Sequence, residues 1–361
     1  FTIKQNRKSY LSLYLQFSPI MKKLEISNFG ILPSGEIVKK IEFENKNGLK
    51  FSVLNYGATA ASLICPDKNG KSDDIILGYN NLEGYLENSY FGSTIGRFTN
   101  RICKGKFSLD GTDYQLNCNN GSNHLHGGCQ GWDKKLWDWK IETDEVEFHL
   151  ESKDGDECYP GNVNASVCYK LTEDNEVQIR LKATTDQTTL INMTNHAFFN
   201  LSGQEKNTKV LDHEMLINSS KYLPVDSTLI PTGEVKDLSK DPVFDFRTKK
   251  IIGQDIEEAG GYDHNYCFDD QNDDFRARVF HENSGRQLEI RSSQPGMQFY
   301  SGNFLNGHIG KLNNKYDKHC GFALEPQFYP DNINQPSFTS SITKSGETYE
   351  QYIIWKISVK N

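Results

Sequence analysis

The sequence predicts an all-β protein in which antiparallel sheets pack face to face as one large β-sandwich. Three observations predict this class: many short apolar runs separated by turn residues, 29 glycines among 361 residues, and no regular alternation of strands with helical segments. Frequent turns between short strands are typical of sandwiches, whereas alternation with helices is typical of parallel sheets. We found no repeat at a constant period and no low-complexity tract, so neither a propeller nor a solenoid is favoured.

Individual strands and hairpins can be assigned in order along the chain. Each predicted hairpin joins two apolar runs across a short turn rich in Gly, Asn, Asp or Ser. The paired runs are 107–109 with 114–116, 167–171 with 177–181, and 276–280 with 287–290. The C-terminal run 352–359 combines β-branched and aromatic residues, which predicts a late, partly buried strand.

The domain organisation is predicted to be simple. No linker divides residues 21–361, and large sandwiches often exceed the usual size of a domain, so we expect one domain there. Residues 1–20 mix basic with isolated apolar side chains and lack a continuous apolar secretory core. We expect these twenty residues to be an extension outside the fold, with Met21 as a candidate start.

Composition excludes several classes of function. The net charge of -8, with no concentrated run of Lys and Arg, opposes nucleic-acid binding. No stretch reaches the roughly 18 apolar residues that a membrane-spanning helix needs. The eight cysteines are scattered without a Cys-x-x-Cys pair, which favours reduced thiols over a zinc or redox motif. We therefore expect a cytoplasmic protein with no nucleic-acid or membrane partner.

Two histidine segments and one glutamate segment suggest proton transfer. They are Asn123–Gly128, Thr194–Leu201 and Leu324–Gln327. Imidazole gains and loses a proton near pH 7, and an ionised glutamate is a base, so the three segments could supply both acid and base. A single histidine beside aromatic residues is more often a hydrogen-bonded core residue, so the surrounding motifs must decide.

Those motifs resemble the aldose 1-epimerase, or galactose mutarotase, family. Eight matching segments occur in the family's order between about Ile37 and the C-terminus. They are 96–102, 123–128, 134–139, 159–162, 194–201, 261–264, 294–300 and 324–327. The resemblance implies a supersandwich of the galactose mutarotase type. It also implies an isomerase that interconverts the α and β anomers of free aldohexoses such as galactose and glucose, without a cofactor or a metal.

The resemblance also assigns roles to residues. Glu325 matches the base that takes the C1 hydroxyl proton, His196 the acid that protonates the ring oxygen, and His126 a second active-site histidine that binds or polarises the same oxygen. The restriction that Pro326 imposes on Glu325 predicts that this carboxylate lies on a strand.

The remaining matches are to sugar ligands. Asn100, Arg101, Asp263 and Gln298 match groups that hydrogen-bond the sugar hydroxyls. Phe299 could offer a ring face to sugar C–H groups, although an aromatic residue is more commonly buried. His124 would share the face of His126 if the backbone is extended, and we assign it a structural role.

Other interpretations of the same residues remain open. His124-x-His126 could ligate a metal as in a cupin, but no Glu follows at suitable spacing. A non-catalytic sugar sensor on the same scaffold is expected to lack Glu325 or His196. A hexose-phosphate epimerase needs clustered cations, for which Arg97 with Arg101 is a thin basis. The sequence does not rank the aldoses, and we expect a monomer or a weak dimer.

Overall fold

A computed structural model describes residues 23–87, 90–205, 208–268 and 273–360. The predicted extension, residues 1–20, lies outside the described residues. Within the described ranges no helix is long and apolar enough to cross a membrane.

Strands dominate every described part of the chain. In chain order they are β1 Lys23–Ile31, β2 Ile37–Glu44, β3 Lys50–Leu54, β4 Thr59–Pro66, β5 Ser72–Asp74, β6 Thr94–Ile95, β7 Arg101–Ile102, β8 Lys106–Leu109, β9 Thr112–Gln115, β10 His124–Leu125, β11 Asp138–Glu142, β12 Glu145–Ser152, β13 Val163–Leu171, β14 Glu176–Thr185, β15 Thr189–Leu190, β16 Thr194–Asn195, β17 Phe198–Phe199, β18 Glu214–Ile217, β19 Lys221–Leu223, β20 Lys236–Asp237, β21 Lys250–Ile251, β22 Asp263–Cys267, β23 Phe275–His281, β24 Arg286–Ser292, β25 Gly296–Tyr300, β26 His308–Ile309, β27 Lys315–Tyr316, β28 Phe322–Gln327, β29 Ile342–Thr343 and β30 Thr348–Val359. Among the described residues, helical structure is limited to α1 Leu82–Glu87 and the 3₁₀ turns Cys103–Gly105, Trp132–Lys134, Asp156–Cys158, Val210–Asp212, Leu238–Lys240, Pro242–Phe244 and Lys311–Asn313.

The three predicted hairpins and the late strand are confirmed. β8 pairs with β9 across Asp110 and Gly111, β13 with β14, and β23 with β24, all antiparallel. Both turn residues of the first hairpin have the positive φ that such turns require, 50° at Asp110 and 79° at Gly111. The C-terminal strand β30 joins β14 to β24 and is longer than predicted.

Three large sheets make up the architecture. Five strands form one sheet in the order β1-β2-β3-β4-β5, and nine form another in the order β11-β12-β13-β14-β30-β24-β23-β18-β21. Six strands form the third in the order β17-β28-β25-β22-β19-β20. Every named strand pair is antiparallel, so the predicted all-β sandwich is confirmed.

One apolar core connects the three sheets. Trp355 on β30 of the nine-stranded sheet lies 6.3 Å from Phe51 on β3 and 5.1 Å from Phe199 on β17, measured between ring centroids. Along β14 buried and more exposed side chains alternate, as in a strand with one face on the core. Along β28 all six residues are buried, so the six-stranded sheet is covered on both faces. A polar side chain on β28 therefore needs a functional or structural reason.

Candidate active site

The register of the six-stranded sheet brings three predicted site residues together. Glu325 on β28 is directly opposite Gln298 on β25, and Tyr300 on β25 is directly opposite Asp263 on β22. Residues directly opposite each other in an antiparallel pair point to the same face, as do residues two apart on one strand. Glu325, Gln298, Tyr300 and Asp263 therefore share one face, although they are up to 62 positions apart in the sequence.

Glu325 is held on a strand, as the following proline predicted. Its side chain is 2% exposed, and Oε2 is buried without a hydrogen-bond partner among the described residues. A buried polar atom without a partner costs about 1–3 kcal/mol, so a bound ligand that supplies a partner for it is stabilised. Substrate hydroxyl groups are natural partners for this oxygen.

His196 lies in the two-residue connection between β16 and β17. Its backbone N–H donates to Ser93 O and its backbone carbonyl accepts from Gly92 N–H, both at 2.9 Å, which anchors the connection. The imidazole Nε2 is 3.4 Å from Oε1 of Glu325, and the histidine side chain is 6% exposed. The predicted acid and base therefore face the same small volume.

His126 completes the group, and its hydrogen bonding defines its tautomer. The backbone N–H of Asn100 donates to Nδ1 of His126 at 3.1 Å. Since an N–H can only donate, Nδ1 is the acceptor and the proton of the neutral ring is on Nε2. The His126 and His196 rings meet edge to face at 5.1 Å between centroids. His126 is therefore a hydrogen-bond donor in this site.

Burial shifts the pKa values of all three groups toward their neutral forms. Burial, and next the charge of Asp263, raise the pKa of Glu325 well above its ordinary value, while Arg101 opposes the shift. Burial lowers the pKa of His196 to about 4. Burial, and then His196 and Arg101, lower the pKa of His126 well below its ordinary value. The expected ion pair of Glu325 with His196 is therefore not the form that burial favours in the free site.

The neutral pair and the ion pair nevertheless carry the same number of protons. Transfer of one proton from Glu325 to His196 converts the first form into the second without changing the net charge. A ligand that donates to the carboxylate and accepts from the imidazolium stabilises the ionic form. A bound ligand with such groups can therefore set the protonation of this pair.

The predicted sugar ligands surround this pair. Nε of Arg101 donates to Asn120 Oδ1 at 3.0 Å, and its guanidinium NH2 is 3.9 Å from Asp263 Oδ2. Nε2 of Gln298 donates to Asp263 Oδ1 at 2.6 Å, and Gln298 Oε1 is buried with no partner in the described ranges. Asn100 uses its Oδ1 to accept from Arg101 N–H at 2.8 Å.

His124 has the structural role that the sequence predicted, but it does not share a face with His126. The condition for a shared face is an extended backbone, and His126 instead has a left-handed φ of 52°. The ring of His124 is held at both nitrogens, because Nδ1 contacts Asn117 O and Nε2 contacts Tyr159 OH, both at 2.6 Å.

Of the two possibilities for Phe299, the structure shows burial in the core and not a ring face offered to a sugar. Phe299 is fully buried and stacks on Tyr262 at 5.2 Å. The next residue, Tyr300, is on the face of the site. Among the charged groups that raise its pKa, after burial, are Asp263 and Glu325. Sequence reasoning also missed Tyr90, whose ring contacts both His126 and His196.

Two groups of side chains have the composition of a metal site, and their hydrogen bonds argue against that use. The candidate ligand atoms of His126, His196 and Glu325 lie within 4.8 Å of one another. Metal ligation by Nε2 of His126 would require its proton to move to Nδ1. Two N–H donors, from Nδ1 and from the backbone of Asn100, would then face each other without an acceptor.

The second group has the same difficulty. Its members are Asp212, His213 and His281. Nε2 of His213 accepts from Leu201 N–H at 3.0 Å, which leaves the proton of the neutral ring on Nδ1, the atom that faces Asp212 at 3.0 Å. Neither set of donors fits a divalent cation without breaking a buried hydrogen bond.

Comparisons with known proteins all indicate the same family. The aldose 1-epimerase family model matches residues 39–356. Galactose mutarotase from Bos taurus is 43% identical over 92% of this chain and 97% of its own length. Aldose 1-epimerase from Escherichia coli strain K12 is 35% identical over 88% of this chain and 95% of its own length.

Solved structures agree with the sequence comparisons. The crystal structure of a GalM/aldose epimerase homologue from C. elegans has a TM-score of 0.84 and 31% identity, and the match covers 89% of this chain and 98% of that one. Galactose 1-epimerase from Lactobacillus acidophilus NCFM has a TM-score of 0.81 and 26% identity, and the match covers 94% of this chain and 99% of that one. The chain belongs to the aldose 1-epimerase family.

Proposed function

We propose that this protein is a mutarotase that interconverts the α and β anomers of free, neutral aldohexoses such as galactose and glucose. Its class as an isomerase follows from family membership over nearly the whole length of the named relatives. The observation that carries the proposal is the 3.4 Å separation of Glu325 Oε1 and His196 Nε2 in a buried site. The two oxygens on the hemiacetal carbon C1 lie one bond angle apart, so one acid and one base this close can reach both.

Ring opening requires both groups at once. In the ionic form, the carboxylate of Glu325 takes the proton of the C1 hydroxyl. The C1–O1 bond becomes a carbonyl, the C1–O5 bond breaks, and its electron pair goes to O5. The imidazolium of His196 delivers a proton to O5, and the Nε2–H of His126 donates a hydrogen bond to the same oxygen as it gains negative charge.

Ring closure reverses these proton transfers on the other face of C1. After rotation about the C1–C2 bond, neutral His196 removes the proton from O5. O5 attacks the carbonyl carbon, and Glu325 returns its proton to O1. The product has the opposite configuration at C1, and the enzyme regains its starting protonation. No redox or group-transfer partner is needed to balance the reaction.

The charges around the site favour a neutral sugar over a phosphorylated one. Arg101 is already shared between Asn120 and Asp263. Arg97 donates to the carbonyls of Pro160, Ser152 and Lys153, so it serves the fold and not a ligand. A dianionic phosphate would therefore meet the carboxylate of Asp263 without an unpaired arginine to offset it.

Several further assignments belong to the same proposal. We infer one domain over residues 21–361, because the apolar core joins the three large sheets. None of the eight cysteines forms a disulfide, which supports a reducing, cytoplasmic setting. A monomer or weak dimer that works without a cofactor, and without nucleic-acid or membrane partners, fits the net charge and the self-contained site.

Polarimetry tests the proposal. Freshly dissolved α-galactose and α-glucose should lose optical rotation at a rate that rises in proportion to protein concentration, with heat-denatured protein as the control. The kcat/KM for mutarotation of hexose 6-phosphates should be lower than that for the free sugars. A rate for both free sugars equal to that of the denatured control would refute the mutarotase assignment.

A further inference from the structure

Tyr90 lies against both catalytic imidazoles. Its ring centroid is 4.8 Å from that of His126, at an interplanar angle of 58°, and 5.8 Å from that of His196, at 31°. A cation within about 6 Å of an aromatic ring centroid and over its face is stabilised by the ring quadrupole. The His196 imidazole lies within this distance of the phenol ring, and the two ring planes are tilted by 31°.

The backbone around Tyr90 is joined to the backbone of His196. Tyr90 O accepts from Ser93 N–H at 3.3 Å, and Ser93 O accepts from His196 N–H at 2.9 Å. Gly92 O also accepts from the side-chain amide of Asn195 at 2.7 Å. Movement of the 90–93 segment would therefore move the histidine as well.

The other end of Tyr90 reaches the turn that carries His126. Asn119 Oδ1 accepts from Leu125 N–H at 2.7 Å, and Asn119 Nδ2 donates to Leu125 O and Gly128 O at 2.9 and 3.0 Å. The same amide nitrogen lies 3.5 Å from Tyr90 OH. Tyr90 thus bridges the separate supports of the two histidines.

The backbone conformation of Tyr90 adds an independent observation. Its φ is 77°, in the left-handed region that a bulky aromatic residue rarely adopts. Such a conformation costs of order 1–3 kcal/mol and persists where the surroundings impose it, typically at functional sites. Burial, then the charge of Asp133, raise the pKa of the Tyr90 phenol, so the ring stays neutral in the working pH range.

We propose that Tyr90 is a positioning residue: its ring sets the orientation of His126 and His196 and stabilises the imidazolium form of His196 during proton transfer. This inference rests on the proposed mutarotase function. Since the ring favours the protonated imidazole, it raises the pH at which Glu325 and His196 lose the proton that they share. The ring therefore extends activity toward alkaline pH.

Other charged or titratable groups surround this pair and do not replace the ring. Those that act on the two histidines, Glu325 or Tyr90 are His124, Arg101, Asp263, Cys129 and Asp133. All of them remain in a Tyr90 variant, so a shift of the alkaline limb that follows removal of the ring reports on the interaction of the ring with the histidine–glutamate pair.

The test compares Tyr90→Leu, Tyr90→Phe and Phe280→Leu in the full chain. Phe280 is half-buried on β23, with Lys249 and Lys360 over its ring, and serves as the matched control for losing an aromatic ring beside a cation. Tyr90→Leu should lower kcat by about tenfold to a hundredfold, with KM changed less than threefold. Tyr90→Phe should restore most of the lost rate, and Phe280→Leu should keep the wild-type rate.

The pH profile separates this role from a purely structural one. The alkaline limb of the pH profile of kcat should shift to lower pH by about 0.5 to 1 unit in Tyr90→Leu and stay in place in Tyr90→Phe. If Tyr90→Leu does not fold, 4-fluoro- and 3,4,5-trifluorophenylalanine at position 90 weaken the quadrupole at nearly constant shape. The alkaline limb should then move down stepwise with fluorination.

Three results would overturn the inference: an unmoved alkaline limb in Tyr90→Leu and in the fluorinated series, a loss confined to KM, or damage in Tyr90→Phe equal to that in Tyr90→Leu. Failure of the proposed function can be distinguished from failure of the Tyr90 inference, because a wild-type protein that is inactive in polarimetry refutes the mutarotase assignment itself. Activity in the wild type with unchanged Tyr90 variants refutes only the role of Tyr90.

Discussion

At the scale of single residues, the site holds buried polar atoms that have no hydrogen-bond partner within the protein. Among the described residues these include Oε2 of Glu325 and Oε1 of Gln298. A preformed site of this kind stores free energy that a bound sugar recovers when its hydroxyls complete the hydrogen bonds. The buried carboxyl of Glu325 is therefore expected to reduce the stability of the fold that contains it.

We predict that Glu325→Gln makes the protein more stable while impairing catalysis. Below its unfolded-state pKa of about 4.3 the carboxyl is protonated in both states and costs nothing. As pH rises, the unfolded state releases the proton while the folded state, whose pKa is raised by burial, retains it. The free energy of unfolding thus falls with pH in the wild type, and the amide removes this loss.

Denaturant unfolding at pH 4 and pH 8 measures the effect. The stabilisation by Glu325→Gln should be near zero at pH 4 and at least about 1–2 kcal/mol at pH 8. Glu350→Gln, an exposed position on β30, is the control and should change little at either pH. A Glu325→Gln variant less stable than wild type at pH 8 would contradict this explanation of the buried carboxyl.

At the scale of elements, the turn after β10 positions His126. Gly127 follows with a φ of 86°, and a Cβ at this residue would lie 1.9 Å from Gly96 O. The glycine therefore permits both the positive φ and the close approach of the two backbone segments. The same turn provides the carbonyls of Leu125 and Gly128 that Asn119 binds.

We predict that Gly127→Ala lowers mutarotation by about tenfold to a hundredfold, because small displacements of catalytic groups have effects of that size. Gly121→Ala is the matched control, since Gly121 also has a positive φ, of 60°, but has no atom within 4 Å of an added Cβ. Steady-state polarimetry of both variants gives the comparison. Equal losses in the two variants would mean that backbone strain, and not the contact with Gly96, is responsible.

Local patterns in the sequence predicted some elements and not others for physical reasons. Turn chemistry located the hairpins, and the proline after Glu325 predicted its strand. The sugar-facing alternative for Phe299 was displaced by one residue along β25: side chains on a strand repeat every two residues, so the neighbour of Gln298 on the site face is Tyr300. Applied to Gln298, that rule would have identified Tyr300.

The contacts of Tyr90 and the conformation of His126 had no comparable signal. Tyr90 meets His126 and His196 through chain segments 36 and 106 positions away, so no local pattern indicates the contact. The left-handed φ of His126 is imposed by its turn, and an extended backbone was the natural assumption beside β10. The family resemblance supplied the proposed catalytic residues, whereas their tautomers and protonation needed the structure.

At the scale of the whole molecule, the fold explains how residues from Asn100 to Glu325 can form one site. The six-stranded sheet presents Glu325, Gln298 and Asp263, while connections outside it present His126 and His196. Trp355 joins the cores of the three large sheets, which keeps these separate supports in one rigid frame. Rigid support of this kind is what proton transfer between positioned groups requires.

The central claim is that Glu325 and His196 act as one acid–base unit on one sugar. Polarimetry of α-galactose with Glu325→Gln, His196→Asn and the double variant tests it most directly. We predict a loss of at least about a hundredfold in each single variant, and a double variant no slower than the slower single one, because groups that act as a unit are strongly non-additive. Wild-type rates in both single variants, or losses that multiply in the double variant, would contradict the claim.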